Sequence, residues 1–97
     1  MVKKSYSKTG TSCRVTFKVQ DVEADQIVVV GDWNDWSPET DALTKRKDGS
    51  FSTTISLDAG REYRFRYLLD GEAWQNDDEA DNFIPNRFGT ADCVLAL

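Results

Sequence analysis

The sequence predicts an all-β protein, a sandwich of two antiparallel sheets. Three observations carry this expectation. Apolar and polar residues alternate with period two in several short runs, turn signals recur every eight to twelve residues, and no stretch of ten or more residues holds a helical period. There is no internal repeat and no linker. Short alternating strands at that spacing are the pattern of an immunoglobulin-like sandwich.

Taken in order, Met1 to Ser12 is polar, rich in Ser, Thr and Lys, and is expected as a flexible N-terminal tail. That leaves residues 13–97 as one folded domain. Cys13, Val15, Phe17 and Val19 alternate with Arg14, Thr16 and Lys18, which reads as a half-buried strand. Ile27 to Val30 is a β-branched run ending at Gly31, as expected of a buried strand. The next residues, GDWNDWSP, supply turn chemistry. Trp33 is in phase with Val29 and Gly31 and is expected in the core, whereas Trp36 is open to either a packing or a ligand role. Ala42 to Lys47 reads as a short edge strand whose Lys45, Arg46 and Lys47 blunt the edge, and Asp48-Gly49 then turns the chain.

Phe51 to Leu57 alternates again. Glu62 to Asp70 is the cleanest strand, with Tyr63, Phe65, Tyr67 and Leu69 on one face and Arg64, Arg66 and Leu68 on the other. Asp70-Gly71 signals a hairpin that returns the chain through Trp74 into an acidic, solvated loop, Gln75–Asn82. Asn86 to Gly89 is a further turn, and Ala91 to Leu97 closes the sequence as a strand.

Ninety-seven residues are enough for one core without staples. The net charge of −5 and pI near 4.6 argue against nucleic acid or an anionic membrane as partner, since both call for a basic footprint. The first residues lack the apolar run of a secretory signal and no window is long enough to span a bilayer, so a cytoplasmic protein is expected. In that compartment Cys13 and Cys93 are expected as free, buried thiols.

Catalysis is disfavoured. The chain has no histidine, which removes the usual base near neutral pH and any Ser–His–Asp or Cys–His pair. Asp77, Asp78, Glu79 and Asp81 could supply the carboxylates of a glycosidase, but adjacent acids in one loop of a small sandwich offer no cleft. Their spacing does not match a calcium loop, and no glycine-rich loop opens a helix to hold phosphate. Neither a metal nor a cofactor is expected.

Aromatic and planar polar side chains on turns remain. A sugar ring presents flat C–H faces ringed by hydroxyls. Tryptophan faces pair with the former, while Arg, Asn and Asp fix the direction of the latter. Trp36 and Trp74, both expected on turns, with Arg64 between them on an outward strand face, form a candidate shallow sugar site.

The stretches IVVVGDWNDWSP, DGSFSTTISLDAGREYRFRYLLDGEAW and NRFGTADCVL together resemble the family-48 carbohydrate-binding modules over about Val15 to Leu97. These are the early-set domains at the N-termini of isoamylases and glycogen-branching enzymes, and the glycogen-binding domain of the AMP-activated protein kinase beta subunit. The segment YLLDGEAWQNDDEADNFIPNRFGTADCVL extends the likeness to small free-standing bacterial isoamylase early-set proteins. The resemblance implies an immunoglobulin-like sandwich and a non-catalytic module for an α-glucan such as glycogen, starch or maltooligosaccharide. It also admits a glycogen-metabolising enzyme as protein partner.

Carried over by position, the family's sugar-stacking tryptophans fall on Trp36 and Trp74, and its lysine falls on Arg64. Its wedging leucine falls on Phe88, its threonine on Thr90 and its asparagine on Asp92. An ionised aspartate only accepts hydrogen bonds, so one hydroxyl contact at Asp92 would run in reverse. A second reading also follows from the resemblance: many early-set domains pack against an enzyme without binding sugar, and here the same tryptophans would be hot spots for a separate partner protein.

Overall fold

The computed structural model describes all residues from Met1 to Leu97. The chain forms β1 (Val2–Tyr6), β2 (Ser12–Val19), β3 (Ile27–Gly31), β4 (Thr44–Lys45), β5 (Phe51–Asp58), β6 (Glu62–Leu69), β7 (Ala73–Gln75), β8 (Asn82–Pro85) and β9 (Ala91–Ala96). One sheet has the order β1-β2-β5-β4 and the other β3-β6-β9-β8, with β7 added beside the C-terminal half of β6. All pairings are antiparallel. The orders match the two sheets of an immunoglobulin-type sandwich. No helix is long and apolar enough to cross a membrane.

The period-two patterns place the core between the sheets. Cys13, Val15, Phe17 and Val19 of β2 and Phe51 and Leu57 of β5 meet Ile27 and Val29 of β3, Tyr63, Phe65 and Tyr67 of β6, and Cys93 and Leu95 of β9. Cys13 and Cys93 are free thiols, and burial pushes the Cys93 thiol up from its ordinary value. At the corner between β5 and β6 the Tyr63 hydroxyl donates to the Asp58 carbonyl at 2.8 Å, the tyrosine corner typical of such sandwiches.

Three expectations change. The segment expected as a flexible tail supplies β1, because Val2 to Tyr6 pair in register with Phe17 to Cys13 of β2. An edge strand needs a backbone partner more than an apolar stripe, so its polar composition hid it. Lys4 also reaches across to Asp81 at 2.7 Å, fastening this edge to the other sheet. Burial alone would raise the Asp81 carboxyl, but bonds from Lys4 and the Ala96 N–H, with the lysine charge, hold it below the usual carboxylate range.

Second, the acidic loop is not wholly solvated. Asp77 is buried, accepting from the Tyr67 hydroxyl at 2.7 Å and the Glu79 N–H at 2.9 Å. Burial and the neighbouring Asp77 charge push the Tyr67 phenol far above its ordinary value. Third, the region after Asp70-Gly71 forms β7 and β8, so Trp74 stands on a strand rather than a turn.

Candidate functional site

The strand alternation that turns Tyr63, Phe65 and Tyr67 inward turns Arg64, Arg66 and Leu68 to the outer face of the second sheet. In register with them on that face are Val28 and Val30 of β3, Trp74 of β7 and Val94 of β9. Val28, Val30 and Leu68 form a small apolar cluster that Trp36 partly covers. Trp36 is therefore half-buried, with one part of its ring on this cluster.

Trp33 and Trp36 diverge because of the turn between them. After Gly31 the chain makes a short 3-10 turn, Asp32–Asn34, and then Asp35 and Trp36 both take left-handed backbone (φ 56° and 58°). Side chains seldom adopt this region, at a cost of about 1–2 kcal/mol per residue. Asn34 holds the turn: its side chain accepts from the Gly31 N–H at 3.1 Å and donates to the Val29 carbonyl and Asp41. Trp33 folds back into the core, stacked on Phe17 with ring centroids 5.6 Å apart and bonded through its indole N–H to Asp41. Trp36 swings to the outer face, where its indole N–H donates to Asp32 Oδ1 at 3.2 Å. Asp32 Oδ2 accepts the Arg64 backbone N–H at 2.7 Å, so a single carboxylate ties the Trp36 ring to β6.

Trp74 lies beside Leu68 and is 47% exposed. The Arg66 guanidinium stands over its ring at 5.5 Å, a cation–π contact, while its Nε donates to Asn76 and one terminal nitrogen to the Thr90 hydroxyl at 3.3 Å. Across from Trp74 the turn Asn86–Gly89 presents Phe88, which is 77% exposed. Asn86 shapes that turn by accepting from the Phe88 and Thr90 N–H groups, and its amide donates to Asp92 Oδ1 at 3.1 Å. Asp92 is buried, and its second oxygen faces Arg64 at 3.8 Å.

These side chains line two adjoining cavities of about 390 and about 720 Å³ that share Trp36, Trp74, Asn86, Phe88 and Asp92. The smaller adds Arg66 and Thr90; the larger adds Asp32, Arg64 and Arg87 among others. All six residues named from the sequence, Trp36, Arg64, Trp74, Phe88, Thr90 and Asp92, thus lie around one groove. A separate cavity of about 330 Å³ beside Tyr67 and Asp77 contains none of them.

Sequence reading missed Asp32, Arg66 and Asn86. Arg66 had a usable signal, since it shares a strand face with Arg64. Asn86 had a weaker one in its turn position before Phe88. Nothing in the sequence announced that Asp32 would reach both Trp36 and β6.

Chemically, the groove joins two indole rings and an exposed phenyl ring with guanidinium donors and carboxylate and amide acceptors. Comparison with curated proteins gives no match. The sequence profile for the glycogen recognition site of AMP-activated protein kinase does match, over residues 13–95. That span holds both sheets apart from β1 and the end residues Ser12 and Ala96, and includes every residue of the groove, so the chain belongs to this glycogen-recognition family.

Proposed function

We propose that this protein is a non-catalytic α-glucan-binding module that takes glycogen, starch or a maltooligosaccharide in the groove between Trp36, Trp74 and Phe88. The observation that carries the reading is the convergence of Trp36, Trp74 and Phe88 with Arg64, Arg66, Thr90 and Asp92 around adjoining cavities on one sheet face. In this reading the exposed ring of Trp74 and the free part of Trp36 stack on glucose C–H faces, burying apolar area on both sides. Phe88 packs against the sugar from the opposite turn. The arginines and Thr90 donate to hydroxyl oxygens, and Asp92 accepts from a hydroxyl with the lone pairs that Asn86 and Arg64 leave free. Membership of a glycogen-recognition family supports the same ligand class.

The groove is open and shallow, so little area is buried while association still loses translational and rotational freedom. Affinity in the micromolar to millimolar range follows, on the order of −4 to −8 kcal/mol. The test is an NMR titration with maltoheptaose. Shifts concentrated at the indole N–H signals of Trp36 and Trp74 and at the amides of Arg64, Arg66 and Thr90 support the reading. Absence of shifts at millimolar sugar overturns it and leaves the tryptophans as contacts for a partner protein.

A further inference from the structure

The sheet opposite the groove carries a second, unassigned surface. Register fixes its outward side chains: Lys3 and Ser5 of β1 lie opposite Thr16 and Arg14 of β2, and Lys18 lies opposite Ser52 of β5. Thr16 and Thr54 share a hydroxyl–hydroxyl bond of 2.9 Å across that face, and Arg46 donates to the Ser52 hydroxyl at 2.8 Å. The face is therefore mostly cations among hydroxyls; Met1, paired through its backbone with Lys18, adds one apolar side chain, and Asp58 of β5, opposite Ser12, adds one acid.

Its cations form no ion pair. The ion pairs of the molecule use the N-terminal ammonium, Lys4 and Arg64, and none uses Lys3, Arg14, Lys18 or Arg46. Lys3, Lys18, Arg46, Thr16 and Ser52, with Met1, also border one cavity of about 200 Å³, whose single carboxylate, Asp48, accepts from the N–H and hydroxyl of Ser50 and lies in the field of Lys18. A chain of net charge −5 thus gathers unpaired cations on one sheet face and keeps most of its acids on loops. Segregation of this kind creates a local positive field that the overall charge conceals.

We propose that this face docks an acidic polypeptide segment of a partner protein. Charge complementarity selects the sign of the partner, and the arginine forks and hydroxyls match carboxylate oxygens. The absence of an aromatic side chain on the face removes the stacking that single-stranded nucleic acid uses, and the net negative charge opposes any long polyanion. A single apolar side chain, Met1, is too little for the anchor that a membrane surface requires. Because the groove lies on the other sheet, both surfaces are free to be occupied together.

The test is an amide-resolved NMR titration of the full chain with an octaglutamate peptide, repeated on Lys18→Glu/Arg46→Glu. Shifts are expected at Lys3, Arg14, Thr16, Lys18, Arg46 and Ser52 and not at the Trp36 or Trp74 indoles. Affinity is expected to fall by roughly tenfold between about 50 and about 300 mM NaCl, as exposed charges are screened. The double variant is expected to keep the wild-type spectrum away from the substituted face and to lose the shifts. No shift at millimolar peptide, or shifts centred on Arg87 beside the groove, overturns the proposal. So does tighter binding of a DNA duplex or of phosphatidylserine vesicles at the same face.

Discussion

The two outward faces of the sandwich share one strand geometry and differ in what the alternation puts on them. On the β1-β2-β5-β4 sheet the outward positions are mainly Lys, Arg, Ser and Thr, with Asp58 at the end of β5, all of which water satisfies without help. On the β3-β6-β9-β8 sheet they include Val28, Val30, Leu68 and Val94, all buried although they point away from the core. A single-sided sheet would leave such residues wet. Here Trp36 is bent over Val28, Val30 and Leu68 by two left-handed residues and held by Asp32. The contrast shows that the groove needs its own small apolar floor: a ring that must present a flat face to a ligand is kept still by packing its other part on β3 and β6.

The largest effect is expected where the floor and the core meet. A Cβ on Gly31 would come within 2.6 Å of the Arg64 carbonyl oxygen and of the Trp33 ring. Gly31→Ala should destabilise the fold by about 2–3 kcal/mol, because neither backbone nor a packed indole can give way cheaply. Chemical denaturation measures it, and a wild-type midpoint would refute the close packing of Trp33 against Gly31.

Next come the tryptophans, where stability and binding separate. Trp74→Ala should weaken maltoheptaose binding at least tenfold, about 1.4 kcal/mol or more, with an unchanged melting temperature because the ring is half exposed. Trp36→Ala should lose binding to the same degree and also about 1–2 kcal/mol of stability, since it uncovers Val28, Val30 and Leu68. Equal stability losses in the two variants would erase the distinction between a floor residue and an exposed contact.

Asp32→Ala is expected to reduce affinity about three- to tenfold, the worth of one orienting hydrogen bond, and to shift the Trp36 indole N–H resonance. An unmoved resonance would mean that packing alone orients the ring.

The smallest effect concerns the pair that joins the two sheets. The Asp81 carboxyl is held low in the folded state, so its contribution is present above the unfolded value near pH ~4 and is lost as pH falls through the lowered folded value. Asp81→Asn should therefore cost less than about 1 kcal/mol at neutral pH and show a shallower loss of stability on acidification. Parallel acid limbs for the two proteins would remove Asp81 from the linkage.

Much of this was legible before any coordinates. Period-two alternation in Cys13–Val19, Phe51–Leu57 and Glu62–Leu69 determined which side chains face inward, because a strand offers only two faces. The same rule assigned Trp33 to the core and put Arg64 and Arg66 on one outward face. The two tryptophans and the turn residues near Phe88 were visible as types with no helical or core pattern to absorb them. What the chain alone did not reveal depends on distance. β1 is specified by its partner β2 rather than by its own polar residues. Asp77 looked solvated until Tyr67 supplied a buried donor. Asp32 became a clamp only when β6 lay alongside the turn, and Trp74 and Phe88 came to face one groove only through the pairing of β7 and β9 with neighbouring strands. Local pattern decides which face a residue takes; only tertiary packing decides what it meets there.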